Sequence, residues 1–453
     1  MIHKRWLFLL ALLLAPAAVP AQPAFQVADL NTTQPRASSG FGLMLPLATV
    51  GTKIFFQGDD GIHGVELWWV DSATGATAMV KDICPGECPS GASDVTLSNG
   101  ILYFWAYEGV HGYEPWRSDG TVAGTFLLQD VYPGGLFSIV SGTPFVDVDG
   151  TLFFAADDGV HGAELWKVNA SGTGAELVAD IVPGPERSTP HPWLSKDGEL
   201  IFTANDGAHG RELWKSDGTA AGTQMIRDLH PGDLSSVPDP FSIVRFHYAL
   251  PDGTFVFGAD DGVHGSELWR SDGTDAGTVL VEDIASGADS SSPFNFVPMN
   301  GTIVFAASTP SLGREIWGTN GTEAGTSLFI DATPGPSDSS PRDLTVAGNQ
   351  IFFFSGLGAS NIGRPLYRAD ASQGKVLIAS EVRVASSLGS SLLFLTGAVG
   401  IGQPLQLWKT EGTPAGNVLL KDFGAQVQFC FQNIDPRALS GAVYFHTCPS
   451  DTG

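Results

Sequence analysis

Apolar and polar residues alternate along this chain in short runs, and Gly, Pro, Asn or Asp cuts each run after a few positions. The stretch 191–229 shows the unit, reading "HPWLSKDG", "ELIFTAND", "RELWKSDG" and "TQMIRDL" in succession. Each piece is brief, rich in β-branched or aromatic residues and bounded by turn formers, which predicts four strands. No window carries a helical period, and 56 glycines with 29 prolines suit a turn-dense all-β chain. Asn99-Gly100, Asp149-Gly150, Asp197-Gly198, Asp252-Gly253 and Asn300-Gly301 separate first from second strands. Those pairs tolerate the positive φ that tight hairpins require.

The pattern repeats. One aromatic slot falls at Trp68, Trp116, Trp166, Trp214, Trp269, Trp317, Tyr367 and Trp408, in steps of 48, 50, 48, 55, 48, 50 and 41. A "DDGxHG" segment joins second to third strands, "SDGTxxGT" joins third to fourth, and the longest link follows the fourth. Four antiparallel strands and then a crossover, repeated near a period of about 49 residues, is the pattern of β-propeller blades. A β-solenoid is the alternative, but its parallel rungs need no Asn-Gly hairpins. "FQVADLN" at 25–31 matches a fourth strand alone, and "PRALSGAVYFHTC" at 436–448 matches a first and second. The expectation is a single propeller domain over 22–453, of eight or nine four-stranded antiparallel blades, with a closing blade shared by both termini.

The recurring "ELWKSDGTAAGT" resembles the ELWxxDGT repeat family of exported bacterial proteins, over roughly residues 25–448. The resemblance implies secretion and propeller-like repeats, and it implies no common catalytic role. Later copies depart from the pattern: "REIWGTNGTEAGT" keeps most of it, "RPLYRADASQG" loses it and "LQLWKTEGTPAGN" keeps part.

The first 21 residues join a basic head to an apolar run too short to span a bilayer, closed by small residues. That is the form of a signal peptide, so the chain is expected to be secreted or on the cell surface. No later segment is long and apolar enough to span. Losing Lys4 and Arg5 takes the formal charge from −25 to −27, which repels phosphate backbones and argues against nucleic acid as a partner. Export favours disulfides, and of the three pairings open to four cysteines the local one is expected, Cys84 with Cys88 and Cys430 with Cys448.

Candidate chemistry lies in the repeated slots. The slot tryptophans read as structural, each ring able to bury ~150–250 Å² between blades. Trp69, Trp105 and Trp193 lie outside the slot and are the better candidates for exposed stacking on a sugar. "SDGT" reads as a turn, with Asp accepting backbone hydrogen bonds and Gly taking positive φ. "DDGxHG" places Asp60 with His63, Glu108 with His111, Asp158 with His161, Asp206 with His209 and Asp261 with His264. These ten are the ligand-binding candidates, weighed against a loop that recurs only because the blade recurs. Repeated carboxylates there and at the crossover starts suit a hard cation, so calcium is the possible cofactor. No G-x-S-x-G, H-E-x-x-H or P-loop occurs, and no catalytic residue is assigned. The leading expectation is therefore a non-enzymatic exported propeller binding or scaffolding protein or glycan. The alternatives are an extracellular polysaccharide hydrolase or lyase and a calcium-stabilised structural surface protein. Ligand identity and oligomeric state are not encoded in any motif.

Overall fold

The computed structural model describes residues 46–135, 137–140, 142–237, 247–355, 363–370, 372–397 and 404–422, with short strands at 8–11, 25–26, 427–428, 437–439, 442–444 and 446–449. Among these residues the protein is all-β apart from two single-turn 3₁₀ segments, Glu323–Gly325 and Pro414–Gly416. Six four-stranded antiparallel meanders follow the first six repeats, each in strict chain order. The fourth repeat is typical, with strands His191–Lys196, Glu199–Asn205, Arg211–Ser216 and Gln224–Arg227. Second strands such as Glu199–Asn205 are buried along both faces, which explains why they read as continuous apolar runs and not as clean alternation.

The expected turns are present. Asn99, Asp149, Asp197 and Asn300 have φ of 48°, 49°, 51° and 50°, and the glycine after each is also positive, giving type I′ hairpins. Asp252-Gly253 differs: only the glycine is positive, and Asp252 instead accepts from the backbone and hydroxyl of Thr254.

The chain forms two compact units, one of residues 92–329 with 335–338, the other of 1–91, 330–334 and 339–453. In the first, successive sheets pack face to face through the slot tryptophans. Trp166 shares a core with Tyr103, Trp105 and Leu128 of the preceding sheet. Trp214 does the same with Val148, Phe153 and Leu165, and Trp269 with Ile201, Leu213 and Ile226. A second tie links neighbours by their turns. The basic residue after the tryptophan donates to a turn carbonyl of the next sheet: Arg117 to Gly172 at 2.7 Å, Lys167 to Gly218 at 2.8 Å and Arg270 to Gly321 at 3.4 Å.

The second unit departs from the expected regularity. Strand Gly374–Leu388 runs 15 residues without a break, serving as fourth strand of the seventh repeat and first strand of the eighth. Those two repeats therefore merge into one seven-stranded sheet and are not two separate four-stranded blades. Strands from both ends of the chain share a further four-stranded sheet, in which Leu9 pairs with His446.

Candidate functional site

Each "DDGxHG" segment is a self-capped loop between second and third strands. Asp206 shows how the sequence dictates it. Its Oδ1 accepts the backbone N–H groups of Ala208 and His209, both at 2.9 Å, and its Oδ2 accepts from His209 Nδ1 at 2.7 Å. The same bonds join Asp60 to His63, Asp158 to His161 and Asp261 to His264, with ring contacts of 2.8, 2.7 and 2.7 Å. Glu108 holds His111 in the same way. The structure thus brings every candidate acid to its candidate histidine, five times over.

These imidazole side chains are 33–45% exposed, and among the described residues no hydrogen bond engages Nε2. The neighbouring carboxylate raises the proton affinity of His63, His161, His209 and His264 above the usual imidazole range. In return, hydrogen bonds from loop N–H groups and imidazole hold Asp60, Asp158, Asp206 and Asp261 below the usual carboxylate range, against the opposing effect of burial.

Two contacts fix the loops. The glycine after the histidine lies against its own crossover: a Cβ on Gly162 would sit 2.1 Å from Glu186 O. The preceding crossover reaches over from the other side, so that Gly262 faces the His230 ring, whose Nδ1 lies 3.8 Å from Asp260 Oδ1. The loop of the fifth repeat therefore combines Asp260, Asp261, His264 and the incoming His230.

Below the loops lies a group that sequence reasoning missed. The glutamate of "ELW" is fully buried in each regular repeat and clamps the crossover. Glu212 accepts from Leu229 N at 3.1 Å, Ser236 N at 3.1 Å and Ser236 Oγ at 2.5 Å. Glu66, Glu164 and Glu267 repeat the arrangement with Ser90, Ser188 and Ser291. The signal was available, because a serine follows each of these glutamates by 24 residues. Burial pushes Glu66, Glu114 and Glu212 up to about 7, although the donated hydrogen bonds pull the other way.

The other candidates are structural or covered. Asp217 Oδ1 accepts Thr219 N and Oγ1 at 2.8 and 2.7 Å, and Ser216 Oγ meets Thr223 Oγ1 at 2.7 Å, so "SDGT" closes on itself. Trp116, Trp166, Trp214 and Trp269 are 4–9% exposed, as a core role requires. Trp68, Trp317, Tyr367 and Trp408 are half-buried. The expectation of exposed stacking fails at Trp105, which is 0% exposed and packs on Phe145 and Phe154. Trp193 is stacked on His247 at 4.5 Å, and Lys53 covers Trp69 at 4.1 Å. Cys84 and Cys88 form a disulfide. Cys430, and with it the expected Cys430–Cys448 pair, lies outside the described residues, as does the segment 1–21 apart from strand 8–11. Among the described residues no group of three acidic, histidine or cysteine side chains is disposed to hold a metal ion, and no helix is long and apolar enough to cross a membrane.

No family model and no curated protein matches the chain. Among solved structures it is similar to a puromycin-hydrolyzing peptidase from Mycobacterium tuberculosis, at 12% identity and a TM-score of 0.38, covering 73% of this chain and 52% of that one. It is also similar to prolyl endopeptidases, at 10% identity and a TM-score of 0.41, covering 80% and 53%. A puromycin hydrolase gives 13% identity and a TM-score of 0.40, covering 88% and 55%. The chain thus spans about half the length of the solved structures it matches. All of them are hydrolytic enzymes by description, and the expectation of a non-enzymatic binding or scaffold module is corrected on that finding. A likeness at these TM-scores assigns no reaction to this chain.

Proposed function

We propose that the repeats are propeller blades of an exported hydrolase, and that the aspartate-held histidines of the blade loops are its acid–base groups. The observation that carries this reading is the loop geometry. A carboxylate fixes Nδ1 and stabilises an imidazolium, while Nε2 stays exposed and unengaged. A general base for water needs that arrangement. An imidazole base suits acyl bonds such as esters and amides, whereas glycosidic bonds call for a pair of carboxyl groups flanking the bond. Acyl substrates are therefore favoured over polysaccharide. The fifth loop, where His230 approaches Asp260 next to the Asp261–His264 pair, is the foremost position.

The test is hydrolysis of a panel of chromogenic esters and peptides by the full chain, beside His264→Gln and the variant with His63, His111, His161, His209 and His264 all changed to Gln. Turnover should rise with pH above about 6.5, because the raised imidazoles must lose their proton to act. It should fall at least about 100-fold in the fivefold variant, the lower range for a positioned base. Turnover that is absent in the parent chain, or unchanged by all five substitutions, refutes the reading.

A further inference from the structure

Between its glycine and its histidine each loop carries a tip residue whose side chain the loop does not use. In the unit built on residues 92–329 these are Val110, Val160, Ala208 and Val263. Asp158, Asp206 and Asp261 take only the backbone N–H of that residue, at 2.9 Å each time. Alanine closes the turn as well as valine does, so the turn does not call for a larger apolar side chain. Yet Val110, Val160 and Val263 are 70%, 64% and 64% exposed. Phe137 and Leu234, on the crossovers of the second and fourth repeats, are 56% and 59% exposed. Among the described residues of 92–329, Val122 is the one other large apolar side chain more than half exposed. Scattered apolar exposure is ordinary, but exposure gathered at one end of successive sheets marks an interaction surface.

These side chains lie on one continuous band. Each loop rests against its own crossover: a Cβ on Gly135 would lie 3.1 Å from Val110 O, and one on Gly265 would lie 2.5 Å from Asp289 O. Each crossover in turn covers the next loop, where a Cβ on Gly159 would meet the Tyr132 ring at 2.6 Å, on Gly207 Val182 at 3.8 Å and on Gly262 the His230 ring at 2.8 Å. The band is also acidic. Its loops (107–113, 157–163, 205–210, 260–265) and crossovers (130–138, 180–188, 228–236, 283–291) hold 13 Asp and Glu against one Arg and no Lys. That one, Arg187, is paired with Asp157 at 2.7 Å. Glu186, Asp233 and Asp289 on the crossovers are exposed, and among the described residues no cation pairs with them.

We propose that this band is the docking surface for a cationic polypeptide segment that carries apolar side chains. The exposed tips cover its aliphatic groups, and the unpaired carboxylates of Glu186, Asp233 and Asp289 receive its Lys or Arg. Charge selects this occupant over the others. A second copy would present the same acidic face, and the chain as a whole carries −25, so like charges would meet across the contact. An anionic bilayer is repelled for the same reason. Docking needs no turnover, so it stands independently of the acid–base role of the histidines along the same band.

The test is fluorescence anisotropy of the full chain with a labelled short peptide of alternating Lys and Leu, beside Lys–Ser and Glu–Leu peptides of the same length. It is run at about pH 8, above the ordinary imidazole range. Cleavage is followed separately by mass spectrometry, so lost binding and lost turnover are told apart. Three triple variants are compared. Val110→Ala with Val160→Ala and Val263→Ala installs the residue that the fourth repeat already has. Glu186→Gln with Asp233→Asn and Asp289→Asn removes the exposed charges of the band. Asp119→Asn with Asp217→Asn and Asp272→Asn removes as many charges from the "SDGT" turns at the opposite end of the third strands. The Lys–Leu peptide should bind saturably. The valine triple should weaken it at least about 10-fold, the loss expected for about two buried methylenes. The band-charge triple should also weaken it, and the "SDGT" triple should not. No saturable binding, equal affinity across the variants, or Lys–Ser or Glu–Leu binding as tightly as Lys–Leu overturns the proposal. So does self-association in sedimentation, or flotation with phosphatidylcholine vesicles, that the valine triple abolishes, because a second copy or a bilayer would then cover the band.

Discussion

The indole N–H of Trp408 donates to Thr396 Oγ1 at 3.0 Å, while those of Trp166, Trp214 and Trp269 find no acceptor. The difference traces to one position. Trp408 pairs across the strand with Phe394, and the residue two places on is a threonine; in the other three repeats it is Ala156, Ala204 or Ala259. Thr396→Ala should therefore cost about 0.5–1.5 kcal/mol in denaturant unfolding, the usual net worth of a hydrogen bond. A cost near zero would mean that the indole finds another partner. A second residue-scale prediction concerns "SDGT". Asn320 in the sixth repeat makes the bonds that Asp217 makes in the fourth, to the N–H and hydroxyl of the residue two places on. Asp217→Asn should then be close to neutral, while Asp217→Ala should cost about 1 kcal/mol. A loss on Asp217→Asn equal to that on Asp217→Ala would show that the negative charge, and not turn closure, is what the slot needs. At this scale the aromatic slot was legible because hydrophobic size and spacing announce a core position. The buried glutamates were not, because "ELW" gives no local sign that its first residue faces inward, and only the recurrent serine 24 residues later betrays it.

Elements follow the sequence closely where a turn former interrupts them. Hairpins at Asn99-Gly100 and its equivalents were fixed by residues able to take positive φ, and the sheets formed in chain order as those turns require. The pattern misled at Gly374–Leu388, "GKVLIASEVRVASSL", where regular repeats have a Pro- and Gly-rich crossover. With no breaker after Gly374, the fourth strand runs on into the next first strand and the two repeats fuse. In the "DDGxHG" loop the histidine is bonded across its own Asp-Gly turn. Its dependence on the crossover was invisible, since the partner lies 24 residues away. Gly162→Ala tests that dependence: φ is +71° and the new Cβ would meet Glu186 O at 2.1 Å, so backbone must shift. The expected loss is about 3 kcal/mol or more, combining φ strain with the clash. Gly184→Ala, at φ +104° with nothing within 4 Å, carries the strain alone and should cost about 1 kcal/mol. Equal losses in the two variants would show that the loop and crossover do not bear on one another.

For the whole molecule the chief sequence-level property is charge, −25 over 453 residues, and calcium is its natural counterpart. The structure divides those carboxylates into groups with different claims on a cation. In "SDGT" one oxygen of each aspartate is spent on the turn itself. In the histidine loops Oδ1 takes backbone N–H groups and Oδ2 takes the imidazole. The crossover aspartates keep Oδ1 without a donor but shut off from solvent, and among the described residues no three acidic, histidine or cysteine side chains stand together to hold an ion. Melting the chain in millimolar calcium and again in chelator should accordingly give the same midpoint near neutral pH. A site filled at 100 times its Kd would instead add about 2.7 kcal/mol. A rise of that order would place calcium on Asp82, Asp130, Asp180, Asp228 and Asp283. Such a site would also tie stability to pH, since bound calcium needs ionised carboxylates and its contribution is lost as acid protonates them.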